Sequence, residues 1–283
     1  KHKPSSSLSG YTIMLDPGHG GIDGGAGCAV SSTDFGQEKN INLSIATKVK
    51  ALLEAEGAKV VMTRTGDKWV CYADRNAAVR KQDPDMFIAI HCDSSSTASA
   101  MGTSAYYYRA YSQPLAKALH QSIVAAYKSD IYADKPDSFK NKVSRGANFY
   151  AFRVTRVEEC PAVLIEYGFV SNTDECQVLQ NAKNRDTLAK ATVEGIKKYG
   201  VEVTFSDTAS AGENMAFVNS VIKGGKWSVN KDASTVTLSL ELAQKGKFYG
   251  FHCEYNEKGN LVLSFKHKPS SSLSGYTIML DPG

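Results

Sequence analysis

A chain of 283 residues with 42% apolar and 22% charged residues has the composition of folded globular domains, which excludes disordered and fibrous classes. The formal charge of +4 is mild, and lysine and arginine are scattered along the chain, so no nucleic-acid partner is expected. The longest apolar runs, residues 86–90 and 162–165, fall far short of the ~20 residues that cross a bilayer, so no membrane span is expected either.

Residues 1–18, KHKPSSSLSGYTIMLDPG, recur unchanged as residues 266–283, and the second copy stops one residue before the position equivalent to His19. The expected origin is the boundary of a tandem or permuted arrangement; the alternative is a second copy that adds a strand to a neighbouring chain's sheet. Residues 1–10, polar and Pro-led, read as a linker. No leader segment stands before the first strand, which is expected of an exported chain whose leader has been removed or left out.

Residues 11–15 form a short apolar run that breaks at Asp16-Pro17-Gly18, as a buried strand entering a turn does. From Glu38 the spacing turns helical, with Ile41, Ile45, Val49, Leu52 and Leu53 on one face and Gly57 as the stop. Strands are expected over 59–64, 86–91, 102–109, 148–153 and 162–167, and helices over 75–81, 112–127 and 184–199. The alternation predicts an α/β layered domain over 11–200. Past 200 the texture becomes β-branched and alternating, over 226–229, 234–242, 248–255 and 261–265, so a small β-rich domain of unknown role is expected over 201–265. Cysteines at 28, 71, 92, 160, 176 and 253 include no CxxC pair, and a domain of this size needs no staples. Mostly free, partly buried thiols are expected.

Four residues stand where chemistry gathers in such folds, at the carboxyl ends of strands. His19 sits on a Gly-rich turn after the first strand, Glu38 opens a helix, His91 ends the strand 86–90, and Glu166 ends the strand 162–165. Taken singly each has a plain reading: a strand-end histidine is more often structural, and a carboxylate in a first helical turn offsets the helix dipole. Taken together, two histidines and a glutamate are a ligand set for catalytic zinc that leaves a position open, and a carboxylate ending a buried strand is costly unless paired or working.

In order along the chain, LDPGHGGIDGGA (15–26), EKNINLSIA (38–46), VMTRTGD (61–67), DMFIAIHCD (85–93), Arg145-Gly146 and PAVLIEYGFVSN (161–172) resemble the amidase-3 family of N-acetylmuramoyl-L-alanine amidases. The resemblance covers residues 11–200. It implies a twisted mixed sheet flanked by helices, one zinc held by His19, Glu38 and His91, and hydrolysis of the amide joining N-acetylmuramic acid to L-alanine in peptidoglycan. Glu166 is implied as the general acid/base acting on a zinc-activated water, and Arg145 as a substrate-binding residue near the cleft. Peptidoglycan as partner implies export to a cell-wall or periplasm-like space, and the resemblance leaves room for a regulatory protein partner.

Two alternatives share the same residues: a non-catalytic peptidoglycan-binding module, and a zinc peptidase cutting within the stem peptide. Cys92 and Tyr167 depart from the commonest family pattern. Alternation turns Cys92 away from His91's side of the strand, as a buried inert thiol. Arg64 and Arg75 read first as structural ion-pair formers. The run Tyr106 to Tyr108 reads equally as strand propensity or as a sugar-binding stripe, His120 as a surface residue, and His2, His252 and His267 as lacking a constellation.

Overall fold

In the computed structural model the described residues are 8, 10–30 and 34–199, with the backbone of five further strands at 201–206, 222–230, 235–242, 248–255 and 261–267. Three apolar segments with period-two alternation make the centre of a sheet: β1 (Thr12–Pro17), β3 (Met86–Asp93) and β6 (Ala162–Phe169). β2 (Lys59–Met62) pairs outside β1; β4 (Thr103–Tyr107) and β5 (Ser144–Phe149) lie beyond β6, giving the order β2-β1-β3-β6-β4-β5. β1, β2, β3 and β6 run parallel, and β4 joins β6 antiparallel, so the sheet is mixed as expected.

The alternation divides the core in two. Ile13, Leu15, Ile88, Ile90, Val163 and Ile165 face the larger cluster, together with α1 (Glu38–Ala55). Met14, Phe87, Ala89, Ala162 and Leu164 face the smaller one, covered by Val79 of α2 (Tyr72–Gln82) and by Val154 and Val157. In α1, Ile41, Ile45, Val49 and Leu53 recur every four residues and are fully buried. Each such side chain contributes about 1.5–3 kcal/mol relative to exposure. The helix ends where Gly57 takes φ +88°, a conformation that closes helices cheaply only in glycine. The same larger face receives α3 (Gln113–Ala126) and, after the short α4 (Asp137–Lys140), α5 (Thr173–Gln180) and α6 (Ala182–Lys198), from which Leu115, Leu119, Leu179 and Leu188 enter the cluster.

Three local expectations change. The strand expected at 148–153 runs instead over 144–149. Its last ladder contact is Tyr150 N–H to the Tyr107 carbonyl at 2.9 Å, after which residues 150–153 leave the sheet into a turn. The aromatic alternation Tyr150, Phe152 reads as strand, yet the rings pack on Tyr106 instead. His120 is buried, not on the surface. It sits between the Thr103 carbonyl and the Gly146 N–H, each 3.2 Å from Nε2, and burial holds its pKa below the ordinary value. Third, α5 does not follow from apolar spacing, because its fully buried members include Glu175.

Glu175 shows how this polar core is satisfied. Its carboxyl accepts from Gly102 N–H at 2.8 Å and Phe169 N–H at 2.7 Å, tying the start of β4 to the end of β6. Burial outweighs these donors and pushes its pKa up to about 7.

Past 200, β7 (Val201–Ser206), β9 (Thr235–Leu242) and β8 (Ile222–Asn230) form an antiparallel sheet in the order β7-β9-β8, and β10 (Phe248–Tyr255) pairs antiparallel with β11 (Leu261–His267). β7 is an addition to the expected segments. The side chain of His252 and that of His267, and the repeat from 268 onward, lie outside the described residues, as does His2. No described helix is long and apolar enough to cross a membrane.

Candidate metal centre

The turn that follows β1 is held by two buried guanidiniums. Arg64 donates to the carbonyls of Pro17 (2.9 Å), Gly18 (2.8 Å) and Lys39 (2.8 Å). Arg75 donates to Pro17 (3.0 Å) and His19 (2.9 Å) and pairs with the fully buried Asp16 carboxylate. Both arginines therefore fix backbone, and Arg75 with Asp16 also lines the smaller recess beside His19. With the turn so held, His19 adopts φ +61°, an uncommon conformation for a residue with a side chain. Two glycines leave room for it. A Cβ on Gly18 would fall 2.1 Å from the His91 ring, and one on Gly25, at φ +66°, would fall 2.6 Å from Glu38 Oε2 and 2.8 Å from the His19 ring.

His91 continues the side of β3 occupied by Phe87 and Ala89, and Glu166 continues the side of β6 occupied by Ala162 and Leu164; the two are register partners. Cys92 falls on the opposite face, in the larger core, with burial pushing its thiol well up. Glu38, at the first position of α1, reaches between the histidines. Its Oε2 lies 3.1 Å from His19 Nε2 and its Oε1 lies 3.1 Å from His91 Nδ1. Ala26 N–H, Cys92 N–H and Asn42 Nδ2 also donate to this carboxylate, at 3.0, 3.1 and 3.1 Å. Burial acts to raise the Glu38 pKa, but the two imidazoles outweigh it and hold it well below the usual carboxylate range. For His19, burial acts downward, while Glu38 and Asp23 act upward and prevail.

The sequence reading missed Asp23. Its Oδ1 sits 2.9 Å from His19 Nδ1, which leaves Nε2 as the nitrogen facing Glu38. A carboxylate on the far nitrogen of a histidine is the usual device for fixing tautomer and ring orientation at a metal. The signal available was an acid four residues past the histidine on a Gly-rich turn.

Ligand-type atoms of His19, Glu38 and His91 all lie within 4.8 Å of one another. Two imidazole nitrogens and one carboxylate oxygen are the donor set of three-ligand catalytic zinc sites, so these residues fit that ion. The fit extends to Glu166: this carboxyl is buried beside the cluster with no hydrogen-bond partner on Oε2. Burial, and then the negative charges of Glu38 and Asp93, push its pKa well above the ordinary value.

All four residues line one cleft of about 440 Å³. Tyr72, Tyr150, Phe152 and Arg153 line it as well, and a smaller recess of about 90 Å³ opens beside His19 between Trp69 and Tyr72. Trp69, Tyr72 and Tyr150 are half or more exposed, at 51%, 53% and 54%. Of the tyrosine run, Tyr106 packs edge-on against Tyr150 and Phe152, Tyr107 accepts from Gln113 Nε2 at 2.8 Å, and Tyr108 stacks on Phe149. None of the three lines the cleft. Arg145 stands exposed on β5 with its guanidinium 5.0 Å from the Phe169 ring centre, outside the lining residues.

An α/β sheet that gathers two histidines and a glutamate able to hold a metal ion has the architecture of a hydrolase with a candidate metal site. The family model for N-acetylmuramoyl-L-alanine amidases matches residues 13–198, and the chain belongs to that family. It is 36% identical over 195 residues to the probable cell wall amidase LytH of Staphylococcus epidermidis, covering 69% of this chain and 60% of the relative. The chain thus spans less than two thirds of the length of that relative. Among solved structures it is similar to the catalytic domain of the amidase CwlV from Bacillus (Paenibacillus) polymyxa, with a TM-score of 0.59 and 28% identity over 67% of this chain and 97% of that one. It is also similar to an N-acetylmuramoyl-L-alanine amidase of Clostridium difficile 630, with a TM-score of 0.58 and 31% identity over 69% and 97% of the two chains.

Proposed function

We propose that this protein hydrolyses the amide between the lactyl group of N-acetylmuramic acid and L-alanine in peptidoglycan, with zinc held by His19, Glu38 and His91. The observation that carries the proposal is the meeting of those three donors beside a buried carboxyl with an unpartnered oxygen, in a chain of this family. When bound, zinc supplies a Lewis acid for the amide carbonyl and lowers the pKa of water to roughly 7.

The protein's own part begins with orientation. Asp23 fixes the His19 ring, and the N–H groups of Ala26 and Cys92 fix Glu38, so the donors are set before substrate arrives. Glu166 is the proton carrier. Its burial beside Glu38 and Asp93 favours the neutral carboxyl; a cation beside it favours the carboxylate. A carboxyl balanced between the two forms can take a proton from water at Oε2 and return it to the departing amine. The exposed faces of Trp69, Tyr72 and Tyr150 suit the apolar face of a sugar ring at the mouth of the cleft. Arg145, on β5 outside the lining of the cleft, would meet a carboxylate of a stem peptide long enough to reach it, as a bidentate partner. Action on peptidoglycan would place the work of the protein outside the cytoplasmic membrane.

The test is the identity of the fragments released from soluble muramoyl-peptides. The expected products are sugars with a free lactyl carboxyl and intact peptides beginning at L-alanine. Split peptides would establish a stem-peptide peptidase instead, and absence of release would establish a binding module.

A further inference from the structure

The cleft over the metal centre is lined by three carboxyl groups, Glu38, Asp93 and Glu166, and by one guanidinium, that of Arg153, the sole lysine or arginine among its described lining residues. The backbone under Arg153 is fixed. It opens the single helical turn Arg153–Thr155, in which Val154 and Thr155 are buried, and its carbonyl accepts from Asn76 Nδ2 of α2 at 3.1 Å. The side chain itself is exposed, with its guanidinium 5.8 Å from the ring centre of Tyr72, at the outer limit of a cation–π contact. Among the described residues no carboxylate pairs with it, whereas Arg75 pairs with Asp16, Arg109 pairs with Glu158, and Arg156 donates twice to the Ala151 carbonyl. An arginine serving solubility alone could stand on any exposed turn. This one is anchored from below and faces the cleft that holds the three metal-type donors.

We propose that Arg153 binds a carboxylate on the residue that follows L-alanine in the stem peptide, and so selects peptides in which that carboxylate is free over those in which it is a carboxamide. The inference rests on the amidase reading above. A cleft of about 440 Å³ that also holds the scissile amide leaves room for little of the peptide beyond it, so the group that Arg153 meets is close in sequence to that amide. Arg145, outside this lining, serves longer peptides. The planar guanidinium offers two parallel N–H donors, which match the two oxygens of a carboxylate. A carboxamide presents one oxygen and sets its own N–H groups against those donors, so both the charge and the fork are lost. Asp93 fixes the pose further, because a substrate carboxylate placed against it meets a like charge.

The test uses a soluble muramoyl-peptide in two forms that differ only in whether the free carboxylate of its second residue is kept or converted to a carboxamide. Binding is titrated calorimetrically on the full chain carrying Glu166→Gln, where turnover is silenced, with and without Arg153→Gln or Arg153→Lys. Release of peptide by the protein with its own Glu166 is followed in parallel. The free acid is expected to bind roughly tenfold tighter than the carboxamide, as one charge-assisted pair at an exposed site allows. Arg153→Gln should bring that ratio to about one by weakening the acid form alone, and Arg153→Lys should keep part of it, since the charge survives and the fork does not. In turnover the preference should appear in KM, with kcat little changed. A ratio near one in the parent protein, a preference that persists in Arg153→Gln, a loss shared equally by both forms, or no binding of either form would overturn the proposal. The two failures separate: release of peptide from both forms with no preference removes the role of Arg153 and leaves the amidase reading, while a tenfold preference without release keeps that role and removes the amidase reading.

Discussion

Replacing Glu166 with glutamine is expected to lower turnover by about 10²–10⁴-fold while leaving zinc content unchanged, because the amide matches the carboxyl in shape and cannot carry a proton. The site's geometry makes this a clean substitution. Glu166 is not among the three clustered donors, and its Oε2 has no hydrogen-bond partner to lose. Steady-state rates on a soluble muramoyl-peptide, with elemental analysis of the same samples, check both halves. A variant that keeps more than about a tenth of the wild-type rate would remove Glu166 from the proton transfer.

The second large effect is on stability. Arg75→Met is expected to cost about 3–5 kcal/mol, the usual penalty for removing one partner of a buried ion pair. Asp16 is fully buried, and without Arg75 its carboxylate would keep only the Thr63 hydroxyl at 2.5 Å. The carbonyls of Pro17 and His19 would lose a donor as well. In a domain of this size that corresponds to a thermal midpoint lower by roughly 10 °C. Denaturant unfolding of the two proteins measures it. Removing the stranded charge too, as in Asp16→Leu with Arg75→Met, is expected to recover part of the loss. A single-variant cost below about 1 kcal/mol would mean that the pair does not hold the turn.

Much of this was legible in the sequence because it is governed by short periods. Alternation in 86–92 is enough to put His91 and Cys92 on opposite faces, and the four-residue recurrence of Ile41, Ile45, Val49 and Leu53 defines the face of α1. What stayed hidden depends on partners distant in sequence. His120 is buried by a carbonyl on β4 and an N–H on β5. Glu175 reads as a surface acid until Gly102 and Phe169 bring their N–H groups to it. The role of Asp23 requires the left-handed turn at His19, and the cleft aromatics Tyr72 and Tyr150 come from two segments nearly eighty positions apart. Arg64 and Arg75 carry the same lesson, since their carbonyl partners are set by the path of the turn after β1.

The central claim is that catalysis depends on one zinc held by His19, Glu38 and His91. The most direct measurement is hydrolysis rate against bound zinc, with metal first removed by a chelator and then restored in steps. The rate is predicted to fall to background in the metal-free protein and to rise in proportion to occupancy, reaching its maximum at one zinc per chain. Full activity in the metal-free protein would contradict the account.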